Sequence, residues 1–120
     1  MRLGGVLTGD RQSDARDFAM RHNCVLVLKG HRTVCAFPDG KTYIVCAGNP
    51  GMAQGGSGDA LAGCIGALLG QLPVQQAVVT AAWLHARAGD LAAKQFGEYA
   101  MTVSDLIASL PEATMEIMEA

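Results

Sequence analysis

The chain has 120 residues, half of them hydrophobic, so it can bury a core of single-domain size and is not a disordered chain. Nine Lys and Arg against eleven Asp and Glu leave a formal net charge of −2, with no basic stripe and no aromatic platform, which argues against nucleic-acid binding. No apolar run reaches the length of a membrane span, because His85, Arg87 and Asp90 interrupt the longest one, and the first ten residues lack the apolar core of a signal peptide.

Cys24, Cys35, Cys46 and Cys64 lie far apart without a CxxC pair, and only His22, His31 and His85 could join them. Surrounded by Val, Leu, Ile and Ala, they read as small buried hydrophobes of a reducing, cytoplasmic compartment and not as a metal site.

Residues 1–9 contain glycine, show no period and read as a segment arriving from something earlier. Helical spacing starts at Asp10, a capping residue, and places Ala15, Phe18, Ala19 and His22 on one face up to Asn23, with His22 lining its edge. Residues 24–28, CVLVL, form an aliphatic run of strand length, suited to a strand buried on both faces. Lys29 and Gly30 follow at once, where the end of a buried strand meets ligand in open α/β sheets; an ordinary solvated lysine explains Lys29 equally well. Residues 33–37 and 42–46 read as a hairpin around Pro38-Asp39-Gly40-Lys41. The strand ends at Lys29 and Ala47 can then open onto one crevice.

The chain is organised around residues 48–70, GNPGMAQGGSGDALAGCIGALLG. Gly55, Gly56, Ser57, Gly58 and Asp59 give a backbone that can close around a ligand, and a helix beginning near Ser57 adds its unpaired N-terminal amides and positive dipole end. A plain helix start, with Ser57 as N-cap, would explain Asp59 but not three glycines, each of which costs conformational entropy. Neither GxxxxGK[ST] nor GxGxxG in its required context is present. Beside a phosphoryl group, Asp59 can take the proton of an attacking hydroxyl while the helix start neutralises developing charge.

The helix after Asp59 carries no charge up to Gly70, so burial on most sides is expected. Pro73 opens a second long helix ending near Phe96 and stopped by Gly97. On it, His85 and Asp90 read as hydrogen-bonded structural residues, since their spacing makes no dyad or ligand pair. Residues 101–110 form a last short helix capped by Thr102 and Asp105, followed by a frayed helical tail. The count is three strands and four helices.

Three stretches together resemble the ADP-dependent NAD(P)H-hydrate dehydratases of the ribokinase-like superfamily: VLVLKGHRTVCAFPDG at 25–40, AGNPGMAQGGSGDALAGCIGALLGQ at 47–71, and AAWLHARAGDLAA with the later MTVSDLIASLP. NPGMAxGGSGD is the specific motif. The resemblance implies an α/β fold, part of a three-layer α/β/α sandwich, with residues 1–120 forming a single partial domain, the C-terminal half. It implies repair of hydrated NADH or NADPH: ADP, or ATP, phosphorylates the hydroxyl on the damaged ring, phosphate leaves, and the double bond returns. Asp59 matches the catalytic base that contacts the hydrated dinucleotide. The implied nucleotide-binding residues are Lys29, Gly30, His31, Arg32, Thr33, Asn49, Gly55, Gly56, Ser57 and Gly58. His31 and Arg32 stand where the family has small residues, which adds bulk and charge there.

The family's early strands, a substrate-binding glycine and a His-Pro-Gly-Glu segment are not in these 120 residues. The isolated chain is accordingly expected to bind adenine nucleotide weakly and to turn over slowly or not at all, with magnesium ligands outside it and no metal site of its own. Two other readings stand beside this one. A ribokinase-like kinase of a vitamin precursor or small alcohol would use the same Asp59. A noncatalytic fragment would self-associate through an unpaired sheet edge, making a homo-oligomer.

Overall fold

The computed structural model describes residues 10–30, 32–52 and 56–119. The chain divides into two compact units, one ending at Cys46 and the other beginning at Ala47.

In the first unit, helix α1 (Arg11–His22) begins where the Asp10 carboxylate accepts from the amides of Gln12 and Ser13, and it ends at Asn23, whose left-handed backbone (φ 49°) stops the ladder. Strands β1 (Leu26–Leu28), β2 (Val34–Ala36) and β3 (Thr42–Ile44) form an antiparallel meander in the order β1-β2-β3. The register sets Leu26 opposite Ala36 and Leu28 opposite Val34, so these four side chains share one face. Ala15 and Ala19 of α1 pack on that face with no exposed area, and their small size lets the helix lie close to the sheet. The β2–β3 turn is made by Pro38-Asp39-Gly40: the Lys41 amide donates to the Asp39 carboxylate, and Gly40 takes φ +89°.

β1 departs from the expected doubly buried strand. All three of its residues are only half-buried, because α1 covers one face and β1 stands at the sheet edge. His22 is exposed and its ring lies tilted against Phe18, with ring centroids 4.3 Å apart.

In the second unit, a single 3₁₀ turn (Pro50–Met52) precedes helix α2 (Ser57–Leu69), followed by α3 (Val74–Phe96), α4 (Val103–Ala108) and α5 (Leu110–Glu119). Helix α3 is the scaffold. Ala77, Ala81, Leu84 and Ala88 form one buried row, and Val78, Ala82, His85, Gly89 and Ala92 form the adjacent one. Along these rows α3 packs against α2, α4 and α5. Leu84, Ala88, Ala92, Met101, Leu106 and Ala113 make the core there. Thr102 and Asp105 close a reciprocal capping box at α4, as their spacing suggests.

Two further expectations are corrected. The tail is not a frayed end: α5 is a further helix after a turn at Ser109, held by buried Ala113 and by Arg87, whose Nε lies 2.9 Å from Glu116. Helix α2, expected to be buried on most sides, buries Ser57 and Leu61 but exposes Ala62, Gly63, Gly66, Ala67 and Leu69, because among the described residues α3 and the short α4 cover one side of it. Among the described residues no helix is long and apolar enough to cross a membrane.

Candidate nucleotide loop and its supports

The central loop enters the second unit at Gly48, whose φ of +108° suits glycine, and leaves it at Gly56, with φ 91° and ψ −15°. Gly56 is the N-cap of α2, and no side chain caps the helix. The alternative of a plain helix start capped by Ser57 does not hold: Ser57 is the first helical residue and its side chain is buried. The first hydrogen bond of the ladder runs from the Ala60 amide to the Gly56 carbonyl at 3.0 Å. The amides of Ser57, Gly58 and Asp59 therefore lie ahead of the ladder, where the positive end of the helix dipole adds to them. Asp59 sits in this first turn with its side chain exposed, not folded into the interior.

Helix α3 holds the loop at both ends. At the far end, buried His85 places Nε2 3.0 Å from the Ser57 carbonyl and 3.2 Å from Ser57 Oγ. A carbonyl can only accept, so Nε2 carries the hydrogen and donates to the first turn of α2. At the near end, the Asp90 carboxylate accepts from the Gly48 amide at 2.9 Å and from Asn49 Nδ2 at 3.0 Å. Asn49 Oδ1 in turn accepts from the Gly51 amide at 3.0 Å, which shapes the Asn-Pro-Gly turn. Between these points Gly89 lies under Met52, where a Cβ would run into the thioether.

The segment from Lys29 to Thr33 belongs to the first unit. Lys29, Gly30 and Arg32 are exposed and Thr33 is half-buried. Arg11, from the first turn of α1, donates to the carbonyls of Leu28, Lys29 and Arg32 at 3.1, 3.0 and 2.7 Å. A Cβ at Gly30 would stand 2.6 Å from Arg11 Nη2, so the glycine leaves room for the guanidinium that shapes the turn. His31 and Gly55 lie outside the described residues, as does the segment 1–9. Arg11 was not among the expected site residues, and His85 and Asp90 were expected only as structural groups, since nothing in one sequence tells a long-range brace from a surface charge.

Among the described residues no group of three His, Cys, Asp or Glu gathers in a way that could hold a metal ion. Among the described residues, backbone donors ahead of a helix lie beside a glycine at a positive φ, the kind of backbone that helix-start anion sites use.

The family model described as NAD(P)H-hydrate dehydratase (Carb_kinase) matches residues 1–112. This chain belongs to the NAD(P)H-hydrate dehydratase family. Among curated relatives of that family, the bifunctional NAD(P)H-hydrate repair enzyme Nnr of Moorella thermoacetica is 48% identical over 111 residues, which is 92% of this chain and 21% of that protein. The ADP-dependent (S)-NAD(P)H-hydrate dehydratase of Neisseria meningitidis serogroup B is 43% identical over 89 residues, 73% of this chain and 30% of that one. A solved ADP/ATP-dependent NAD(P)H-hydrate dehydratase from Bacillus subtilis, co-crystallized with ATP/Mg2+ and soaked with CoA, superposes with a TM-score of 0.85 at 33% identity. That match covers 92% of this chain and 41% of the Bacillus chain, and over it the two share the α/β fold. The chain thus spans well under half the length of these relatives.

Proposed function

We propose that this chain supplies the nucleotide-side, C-terminal half of an ADP- or ATP-dependent dehydratase that repairs hydrated NADH or NADPH. The observation that carries the reading is the start of α2, where amides ahead of the helix ladder and the exposed carboxylate of Asp59 occur together in the GGSGD motif. Bound there, the nucleotide supplies a terminal phosphoryl group. Gly56, Ser57 and Gly58 offer main-chain donors to its oxygens, and Gly55 is assigned with them by its place in the motif. Asp59 accepts the proton of the substrate hydroxyl as that oxygen attacks phosphorus and the bond to the leaving nucleotide breaks. Lys29, Gly30 and Thr33 are assigned to the nucleotide by their match to the family motif, and His31 and Arg32, which replace the motif's small residues, only by their place within it. Magnesium bound with the nucleotide would neutralise phosphate charge, and its ligands are assigned outside this chain by the family resemblance.

The test has two arms. ADP titrated into the 120-residue chain binds weakly, while hydrated NADH plus ADP shows little or no recovery of the reduced-nicotinamide absorbance. In a full-length dehydratase carrying these residues the band recovers, and Asp59→Asn slows recovery by about 10²–10⁴-fold, the usual worth of a general base. A chain with no affinity for ADP, or an Asp59→Asn enzyme with unchanged turnover, contradicts the reading.

A further inference from the structure

Asn49 lies in the same motif as the anion loop, yet its carboxamide is committed on both sides within the protein. Nδ2 donates to Asp90 Oδ1 at 3.0 Å and Oδ1 accepts from the Gly51 amide at 3.0 Å. Asp90 also receives the Gly48 amide at 2.9 Å, so one carboxylate on α3 collects two donors from consecutive loop residues. Both donors need an acceptor, because Gly48 and Asn49 are half-buried and an unpaired amide in such a place is costly. A Cβ at Gly48 would meet Met52 Sδ at 3.4 Å and Ala86 Cβ at 3.6 Å, so the loop lies close against α3 where Asp90 holds it.

We propose that Asp90 and Asn49 form a positioning pair that sets the start of the nucleotide loop, and that Asn49 acts through the loop backbone and not by touching the nucleotide. The proposal rests on the nucleotide reading above. Asp90 is absent from the set of residues that the family resemblance implies, and it turns the Gly48–Asn49 corner into a fixed point ten residues ahead of Asp59.

The hydrogen-bond directions allow a decisive exchange. Asp90→Asn alone keeps an acceptor for the Gly48 amide but sets two NH₂ groups against each other. Asn49→Asp alone sets two carboxylates against each other. Combined, the new carboxylate at position 49 accepts from the Gly51 amide and from the new amide at position 90, whose oxygen accepts from Gly48. All three bonds return, and the charge merely moves from one side of the pair to the other.

Two readouts on the full 120-residue chain decide the matter: hydrogen exchange of the Gly48 and Gly51 amides, and ADP titration. Each single substitution is expected to speed exchange at both amides and to weaken ADP binding about tenfold, the worth of one hydrogen bond to a charged acceptor. The double exchange is expected to restore both to near wild-type values. Singles that leave amide exchange unchanged, or a double that binds ADP worse than either single because the moved carboxylate faces phosphate, overturn the proposal. A wild-type chain that binds no ADP refutes the nucleotide reading instead, and amide exchange then decides the brace by itself.

Discussion

Replacing glycines of α2 by alanine should shift stability in opposite directions at positions only seven and ten residues apart. At Gly56 the backbone takes φ 91° and ψ −15°. Among the described residues a Cβ there would meet the Val103 methyls, at 3.8 and 4.0 Å, which is ordinary contact. The cost of Gly56→Ala is therefore backbone strain alone, about 1–2 kcal/mol. Gly63 and Gly66 lie inside the helix, and a Cβ at either would meet nothing within 4 Å. Each Gly→Ala change there removes unfolded-state freedom without a clash, a gain of roughly 0.5–1 kcal/mol. Urea unfolding of the full chain measures both effects. With a slope of about 1–3 kcal/mol/M, Gly56→Ala lowers the midpoint and the double change at 63 and 66 raises it, each by roughly 0.3–2 M. Midpoints that move the same way, or an unchanged midpoint for Gly56→Ala, would refute the argument that the loop imposes its conformation on residue 56.

Burial pushes the Cys35 thiol up to about 11, and burial also raises Cys64, whereas Cys46 is exposed. At pH 8 an alkylating reagent should label Cys46 first and Cys35 last. Because the folded value of Cys35 lies above the ordinary 9.0, its contribution is complete below about pH 9 and is lost as pH rises towards 11. The difference in urea midpoint between wild type and Cys35→Ala, followed from pH 8 to 11, should shrink accordingly. At Gly51 a Cβ would run into the Glu98 carbonyl oxygen and stand 2.9 Å from Asn49 Oδ1 and Met101 Sδ. Since a backbone oxygen has little room to move, Gly51→Ala should destabilise by about 1–3 kcal/mol in the same assay.

Local chemistry made much of this legible before any coordinates. Asp10 and Asn23 bound α1, Pro-Asp-Gly makes the hairpin turn, Gly97 stops α3, and Thr102 with Asp105 caps α4, because caps and turns are decided by residues within four positions of one another. The α2 start was legible for the same reason, although its cap is Gly56 and not Ser57. Less legible was whatever depends on distant partners. Arg11 reaches residues seventeen to twenty-one positions away, and Asp90 reaches more than forty back along the chain. The tail looked like a fraying end until Ala113 and Glu116 found partners on α3. An uncharged helix suggested burial all round, but composition says only that a surface can be covered, and neighbours decide whether it is.

The residues that set the loop's two ends lie within a stretch of α3 shorter than two turns, from His85 to Asp90. Transplanting residues 48–59 into another scaffold would therefore carry the motif without its mould. A graft that keeps the loop's shape would have to bring residues 85–90 along and hold both pieces at the same spacing.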